Sequence, residues 1–229
     1  MDNKTKAIDT PFEKHDAYGS LSMPIYHTAA YEFNTAVDMA DAFTGRVIAP
    51  DYSRVMNPTV MYLEDKVKAL TNASNVVAFS SGMAAISNTM LALSATGKNI
   101  VTSRHMFGNT FSLITQSLKR FGVEARPCDL LNLDDVKSKM DDNTCCIFLE
   151  IITNPQMEVA NLAEQAAIAH EHHVPLVADT TVIPFTQFSA KNLGVDIEVV
   201  SSTKYLSGGA TSLGGLAIDY GTTQGFGHR

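Results

Sequence analysis

Val199-Val200-Ser201-Ser202-Thr203-Lys204-Tyr205-Leu206-Ser207-Gly208-Gly209 decides how the rest of the chain is read. The run from Val195 to Val200 is rich in β-branched residues and predicts a buried parallel strand. It passes directly into two serines, a threonine and a lysine, with a double glycine after them. Ligands of open α/β sheets sit at the carboxyl ends of the strands. A lysine amine placed there can form a Schiff base with an aldehyde cofactor, once burial or a nearby cation makes it less basic. The neighbouring hydroxyls can hold a phosphate. The plain alternative is a polar strand end with Lys204 pointing into water, and the stretch alone leaves both open.

Working back from that strand, apolar runs and helical patterns alternate. Val76–Phe79, Ile100–Thr102, Val123–Pro127, Cys145–Glu150 and Pro175–Asp179 predict five earlier strands, and Ser212–Asp219 a seventh. Helices are predicted between them at Ala84–Leu93, Thr110–Phe121, Asp134–Met140 and Asn161–His172. Such alternation predicts an α/β domain with a mostly parallel seven-stranded sheet, right-handed crossovers and helices on both faces. Upstream, Asn57-Pro58-Thr59 is a helix start, with Asn57 as N-cap and Pro58 at the first helical position, and the helix is predicted to run to Leu70. Before it the chain is irregular, with one short helical pattern at Ala36–Phe43 and too few periodic apolar residues for a core. Residues 1–57 are therefore expected to form an N-terminal arm lying against this or a neighbouring subunit, and residues 58–229 the large domain.

A net charge of -7 disfavours a nucleic-acid surface. No apolar run approaches membrane-spanning length, and Met1–Lys6 lacks the apolar segment of a signal peptide. Cys128, Cys145 and Cys146 have no metal spacing; they are expected to be reduced packing residues of a cytoplasmic protein. His170-Glu171-His172-His173 puts two histidines three apart near a helix end, where they complement the dipole; no further ligand is evident, so no metal is expected.

The polar groups fall on loops after strands. Ser80-Ser81-Gly82-Met83 lies between a strand and a helix, where backbone N–H groups make an anion site, although ordinary βα turns look similar. It is neither a phosphate loop ending in Gly-Lys-Ser/Thr nor a Gly-x-Gly-x-x-Gly motif. Asp179 ends a strand, where a carboxylate can pair with a protonated heterocycle nitrogen or merely cap a loop.

Taken together, Pro24-Ile25-Tyr26, Tyr52-x-Arg54-x-x-Asn57-Pro58-Thr59, Ser80-Ser81-Gly82-Met83-Ala84-Ala85, Phe107-Gly108-Asn109-Thr110, Glu150-x-x-x-Asn154-Pro155, Asp179-x-Thr181 and Ser201-Ser202-Thr203-Lys204-Tyr205 resemble the cysteine/methionine-metabolism family of pyridoxal-phosphate enzymes, of the aspartate-aminotransferase fold type. The motifs follow family order and spacing from about residue 18 to residue 219. Phe-Gly-Asn-Thr and Thr-Lys-Tyr-Leu-Ser-Gly-Gly most resemble the O-acetylhomoserine sulfhydrylase branch.

The resemblance implies pyridoxal 5'-phosphate as cofactor, held by Lys204, which also shuttles protons. It implies that Asp179 pairs with the ring nitrogen, with Thr181 in the same motif. Ser81, Gly82 and Met83 together with Ser201 and Thr203 would hold the phosphate. Asn154 would bond the phenolic oxygen and Phe107 would stack on the ring. Tyr52 and Arg54 would reach the phosphate of a neighbouring subunit in a homodimer or homotetramer. The implied reaction is replacement of acetate at Cγ of O-acetylhomoserine by sulfide or a thiol. Elimination, as in methionine γ-lyase or a cystathionine lyase, cystathionine synthesis, and an inactive cofactor-binding module remain alternatives, as does a nucleotide-binding domain outside the family. Phe107 stands where most relatives carry tyrosine, and histidines often found at the positions of Val200 and Gly209 are absent. Asn109 replaces the cysteine of methionine γ-lyases. The family's C-terminal small domain, with its substrate-carboxylate arginine, is expected to be missing, and turnover by this chain is expected to be poor.

Overall fold

The computed structural model describes residues 3–12 and 18–222. Two compact units emerge, Met1–Ala69 and Leu70–Arg229. The first holds α1 (Asn3–Ile8), α2 (Ala36–Phe43) and most of α3 (Pro58–Thr71). A helix at Asn3–Ile8 is not foreseen in the sequence, because it buries no residue and so carries no apolar stripe to betray it. α2 also buries nothing; Thr35 starts it by accepting the Asp38 N–H at 3.1 Å. Asn57 holds the entry to α3: its Oδ1 accepts the Thr59 N–H at 2.9 Å, and its Nδ2 donates to the Tyr26 carbonyl at 2.9 Å and to Ser53 Oγ at 3.0 Å. Side-chain hydrogen bonds give this segment its shape, in the absence of a periodic apolar face.

The second unit is a sheet. In chain order it contains β1 (Asn75–Phe79), α4 (Gly82–Leu93), β2 (Asn99–Ser103), α5 (Gly108–Ser112), β3 (Glu124–Cys128), α6 (Leu133–Lys139), β4 (Thr144–Glu150), α7 (Leu162–Glu171), β5 (Leu176–Asp179), β6 (Ile197–Val200) and β7 (Gly215–Asp219). The seven strands lie in the order β1-β7-β6-β5-β4-β2-β3. β7 runs antiparallel to both β1 and β6, and all other pairs are parallel. This is the mostly parallel α/β sheet expected from the alternation of strand and helix patterns.

One face of the sheet buries Cys146 and Phe148 of β4, Val177 of β5 and Val199 of β6 against Ile86 and Met90 of α4 and Ile114 and Leu118 beyond α5. α7 covers the other face over β4 and β5, burying Leu162, Ala166 and Ala169. Most element boundaries shift by one to three residues from the sequence reading, and three of the differences have a visible cause. The helix expected over Thr110–Phe121 begins at Gly108 and is not uniform: α5 gives way to a π-helical turn (Leu113–Ser117) and a 3-10 turn (Leu118–Phe121). Thr115 Oγ1 bonds back to the Phe111 carbonyl at 2.7 Å, a competitor for backbone pairing that loosens the helix there. β6 starts at Ile197, because buried Asp196 uses its carboxylate to accept the Leu176 N–H at 2.8 Å. β7 begins only at Gly215, since Gly214 is tied sideways to Thr203 Oγ1. The turn-like tail read from the sequence lies, beyond Thr222, outside the described residues. Among the described residues no helix is long and apolar enough to cross a membrane.

Candidate functional site

The carboxyl ends of β4, β5 and β6 and the start of α4 come together at one edge of the sheet. α4 begins at Ser81, whose backbone is extended and whose Oγ accepts the Ala84 N–H at 3.1 Å. The N–H groups of Gly82 and Met83, in the first turn, have no intrahelical acceptors and are free to meet an anion. Gly82 is buried hard against β6: a Cβ there would lie 2.5 Å from the Ser201 Cβ. Only glycine lets the helix start approach this strand end so closely. A Cβ at Gly215, on β7, would strike the Ser81 carbonyl from the other side.

From Ser201 a chain of hydrogen bonds leads to the carboxylate. The Ser201 N–H donates to Thr181 Oγ1 at 2.9 Å, and the Thr181 N–H donates to Asp179 Oδ1 at 2.9 Å. Asp179 stands at the end of β5, in register with Glu150 of β4 and Val199 of β6. Desolvation raises its carboxyl above the ordinary range, against the bonds from Thr181. A cation beside it would be correspondingly welcome. Ser81, Gly82, Met83, Ser201, Thr181 and Asp179 are thus brought to one place.

The remaining residues are placed less directly. The Thr203 hydroxyl bonds Gly214 from both sides, donating to its carbonyl at 3.3 Å and accepting its N–H at 3.1 Å. Lys204 follows Ser201 in a tight turn, its N–H donating to the Ser201 carbonyl at 3.3 Å, and its side chain is exposed. Tyr52 and Arg54 belong to the first unit; both are exposed, and the Arg54 guanidinium lies 5.1 Å from the centre of the Tyr52 ring. Phe107 precedes α5 with its side chain about half exposed, and Asn154, joined to Pro155 by a cis peptide bond, is exposed in the loop after β4.

Phe107 and Asn154 meet through a residue to which the sequence reading gave no role. Glu150, at the end of β4, is buried; its Oε1 accepts the Phe107 N–H at 2.6 Å and its Oε2 the Asn154 N–H at 3.1 Å. Burial raises its carboxyl to about 7, opposed by these two bonds and assisted by the charge of Asp179. The signal for it was an acidic residue closing an otherwise apolar strand, which needs buried partners to be tolerated. His170, considered above for metal, instead puts Nε2 2.8 Å from buried Asp196. No group of three metal-ligating side chains occurs among the described residues.

A helix start with N–H groups left without intrahelical acceptors, strand-end hydroxyls, a desolvated carboxylate and a lysine on one sheet edge fit a phosphorylated, cationic heterocycle with an aldehyde. One similar protein carries such a group. An O-acetylhomoserine (thiol)-lyase structure from Campylobacter jejuni, containing N'-pyridoxyl-lysine-5'-monophosphate, superposes with a TM-score of 0.91 at 33% identity, covering 97% of this chain and 55% of that one. The O-acetylhomoserine sulfhydrylase of Wolinella succinogenes is 46% identical, with a TM-score of 0.68 over 72% of this chain and 48% of its own. An L-methionine γ-lyase from Fusobacterium nucleatum is 39% identical over 203 residues, 88% of this chain and 51% of the relative. The chain spans about half the length of the curated relatives it matches. With residues 4–226 matching the model of the Cys/Met metabolism PLP-dependent enzymes, the chain belongs to that family, whose cofactor is pyridoxal phosphate.

Proposed function

We propose that this chain is the cofactor-binding part of an O-acetylhomoserine sulfhydrylase, which replaces the acetate of O-acetylhomoserine with sulfide to give homocysteine and acetate, or with a thiol to give methionine. The observation that carries the cofactor assignment is the close approach of Gly82, at the start of α4, to Ser201, and the hydrogen-bonded path from Ser201 through Thr181 to Asp179. When bound, pyridoxal phosphate supplies an electron sink for chemistry at Cα.

The chain's residues then have distinct tasks. The N–H groups of Gly82 and Met83, with the hydroxyls of Ser81 and Ser201, bind the phosphate; Thr203 joins them only when its hydroxyl turns away from the Gly214 carbonyl. Asp179 holds a proton on the ring nitrogen; a carboxylate desolvated without a partner favours that pairing. Phe107 covers one ring face and keeps water from it. Asn154 donates to the phenolic oxygen. Lys204 holds the cofactor and takes the Cα proton of the substrate. Tyr52 and Arg54 reach the phosphate of a second copy in a homodimer or homotetramer, where a guanidinium suits bidentate binding. Three free cysteines agree with a cytoplasmic location.

Elimination is the second reading, favoured by the 39% identity to a methionine γ-lyase. Asn109 in place of the lyase cysteine, and the Thr-Lys-Tyr-Leu-Ser-Gly-Gly run, support replacement. The test is product analysis on the pyridoxal-phosphate-loaded chain. Homocysteine from O-acetylhomoserine and sulfide supports replacement; methanethiol and 2-oxobutyrate from methionine as the main products would reverse the order of the two readings. A chain that takes up no cofactor would remove both.

A further inference from the structure

We infer that Glu150 is a positioning residue, whose single buried carboxylate fastens the loop after β2 to the loop after β4 and thereby fixes where Phe107 and Asn154 stand. This deepens the cofactor reading above and rests on it for the roles of those two residues.

Glu150 ends β4, and its two oxygens part company. One accepts the backbone N–H of Phe107, 43 residues away in sequence; the other accepts that of Asn154, four residues on. Bonds from backbone groups to a carboxylate are stronger than neutral ones, and burial sharpens their geometry. Each loop also has bonds of its own, such as the His105 N–H to Ser103 Oγ at 2.9 Å and the Met157 N–H to the Thr153 carbonyl at 2.8 Å, but these act within a loop and do not join the two. Phe107 lies outside α5, as the residue before its first turn, and no side chain caps that helix. Asn154 is exposed, in the segment between β4 and α7. A second tie joins the same loops farther out: His105 Nδ1 lies 2.9 Å from Glu158 Oε2. That pair is open to solvent on both sides and adds little by itself. Glu158 is anchored in turn, its N–H donating to Thr153 Oγ1 at 3.0 Å. The inner tie is the one that shares a sheet edge with Asp179, through the register of Glu150 with Asp179.

The chemistry sets what each replacement should do. Glutamine has the same length, but its carboxamide has only one accepting oxygen, so one of the two N–H groups must face an NH2 group. Aspartate keeps both accepting oxygens but is one methylene short and cannot span both loops.

The first measurement needs no variant and no cofactor. In the cofactor-free chain, amide exchange followed by NMR should show the Phe107 and Asn154 N–H groups protected at least about tenfold over their exposed neighbours Gly108 and Gln156, as hydrogen-bonded amides are. Exchange as fast as those neighbours would overturn the inference, whatever happens with the cofactor. In Glu150→Gln, protection should fall at one or both amides. In the loaded protein the visible circular dichroism of the cofactor should change, and its release should speed up roughly tenfold, the scale of one lost charged hydrogen bond. Glu150→Asp should lose one amide only. Glu158→Gln should leave both amides protected. Unchanged amide protection in Glu150→Gln would also overturn the proposal. Failure of the wild-type chain to take up pyridoxal phosphate, with Phe107 and Asn154 still protected, would strike the cofactor reading and leave the clamp between the loops standing.

Discussion

The two units of this chain are held by different physics. In the sheet unit, β2 is buried along its whole length and β4 nearly so, and Phe148, Met90 and Ile114 are among its fully buried side chains. In the arm unit, α1 and α2 bury nothing, and Val37, Phe43 and Ile48 are exposed. The arm is instead a set of side chains answering backbone groups: Asn57 to Tyr26 and Thr59, Thr59 to Pro24, Ser53 to Thr28. Non-directional burial tolerates any well-packed apolar residue, whereas directed hydrogen bonds require particular ones. The sheet is thus a scaffold that many sequences could build, and the arm is a shape that depends on a few polar side chains.

The sharpest way to break that contrast is chemical. Borohydride treatment of the pyridoxal-phosphate-loaded chain should fix a pyridoxyl label on Lys204, and Lys204→Ala should carry none by mass spectrometry. Arg54→Ala, in the arm, should keep the label while holding cofactor more weakly. A label on another lysine, or an Arg54 variant with no label at all, would break the proposed division of labour.

Next in size is a pair of truncations. Phe148→Ala should lower unfolding free energy by about 3–5 kcal/mol, from lost burial and the cavity left behind. Phe43→Ala, on the exposed face of α2, should change it by less than about 0.5 kcal/mol. Denaturant titration of both variants checks this, and similar losses in the two would mean that the arm has a core.

The pH dependence should also divide between the units. Upward shifts are resolved for Glu150, Asp179 and Glu198, all in the sheet unit and all driven mainly by desolvation. A carboxyl whose pKa is higher folded than unfolded binds more protons in the folded state. Its contribution therefore falls as pH rises from the unfolded value toward the folded one. For Glu150, raised from 4.5 to about 7, stability should decline across that interval, by on the order of 3 kcal/mol, and level off above it. Glu150→Gln should flatten the decline. An equally steep fall in the variant would assign the slope to Asp179 and Glu198.

A smaller loss than those of the sheet belongs to the polar side chains of the arm. Asn57→Ala removes the acceptor of the Thr59 N–H and the donor to the Tyr26 carbonyl, and should cost about 1–2 kcal/mol. The loss should show as faster proteolysis between Tyr26 and Asn57, with the sheet's unfolding midpoint nearly unchanged. A drop in that midpoint corresponding to the full loss of about 1–2 kcal/mol would mean that the two units unfold together.

Much of the sheet was legible because its signals are local. The apolar run Cys145–Glu150 could hardly be anything but a buried strand, and it is β4. The small residues Ser80-Ser81-Gly82 marked the turn into α4, with Ser81 as its cap. The helix after Gly108 was misjudged because its π-helical and 3-10 turns leave the apolar spacing almost unchanged. α1 was missed because a helix without a buried face has no periodicity to read. Of the candidate site residues, those next to strand ends could be proposed from position alone, whereas Glu150 could be seen but not understood.

By itself the sequence determined the succession of strands and helices, the strand ends that carry Asp179 and Lys204, and the family to which those motifs point. These follow from period, turn chemistry and short spacings, which act over a few residues. Only the tertiary structure decided that β7 enters antiparallel between β1 and β6, that Gly82 lies against Ser201, and that one glutamate holds two loops. Each of these depends on which distant segment becomes a neighbour, and that is set by how the helices cover the two faces of the sheet, a choice no local pattern records.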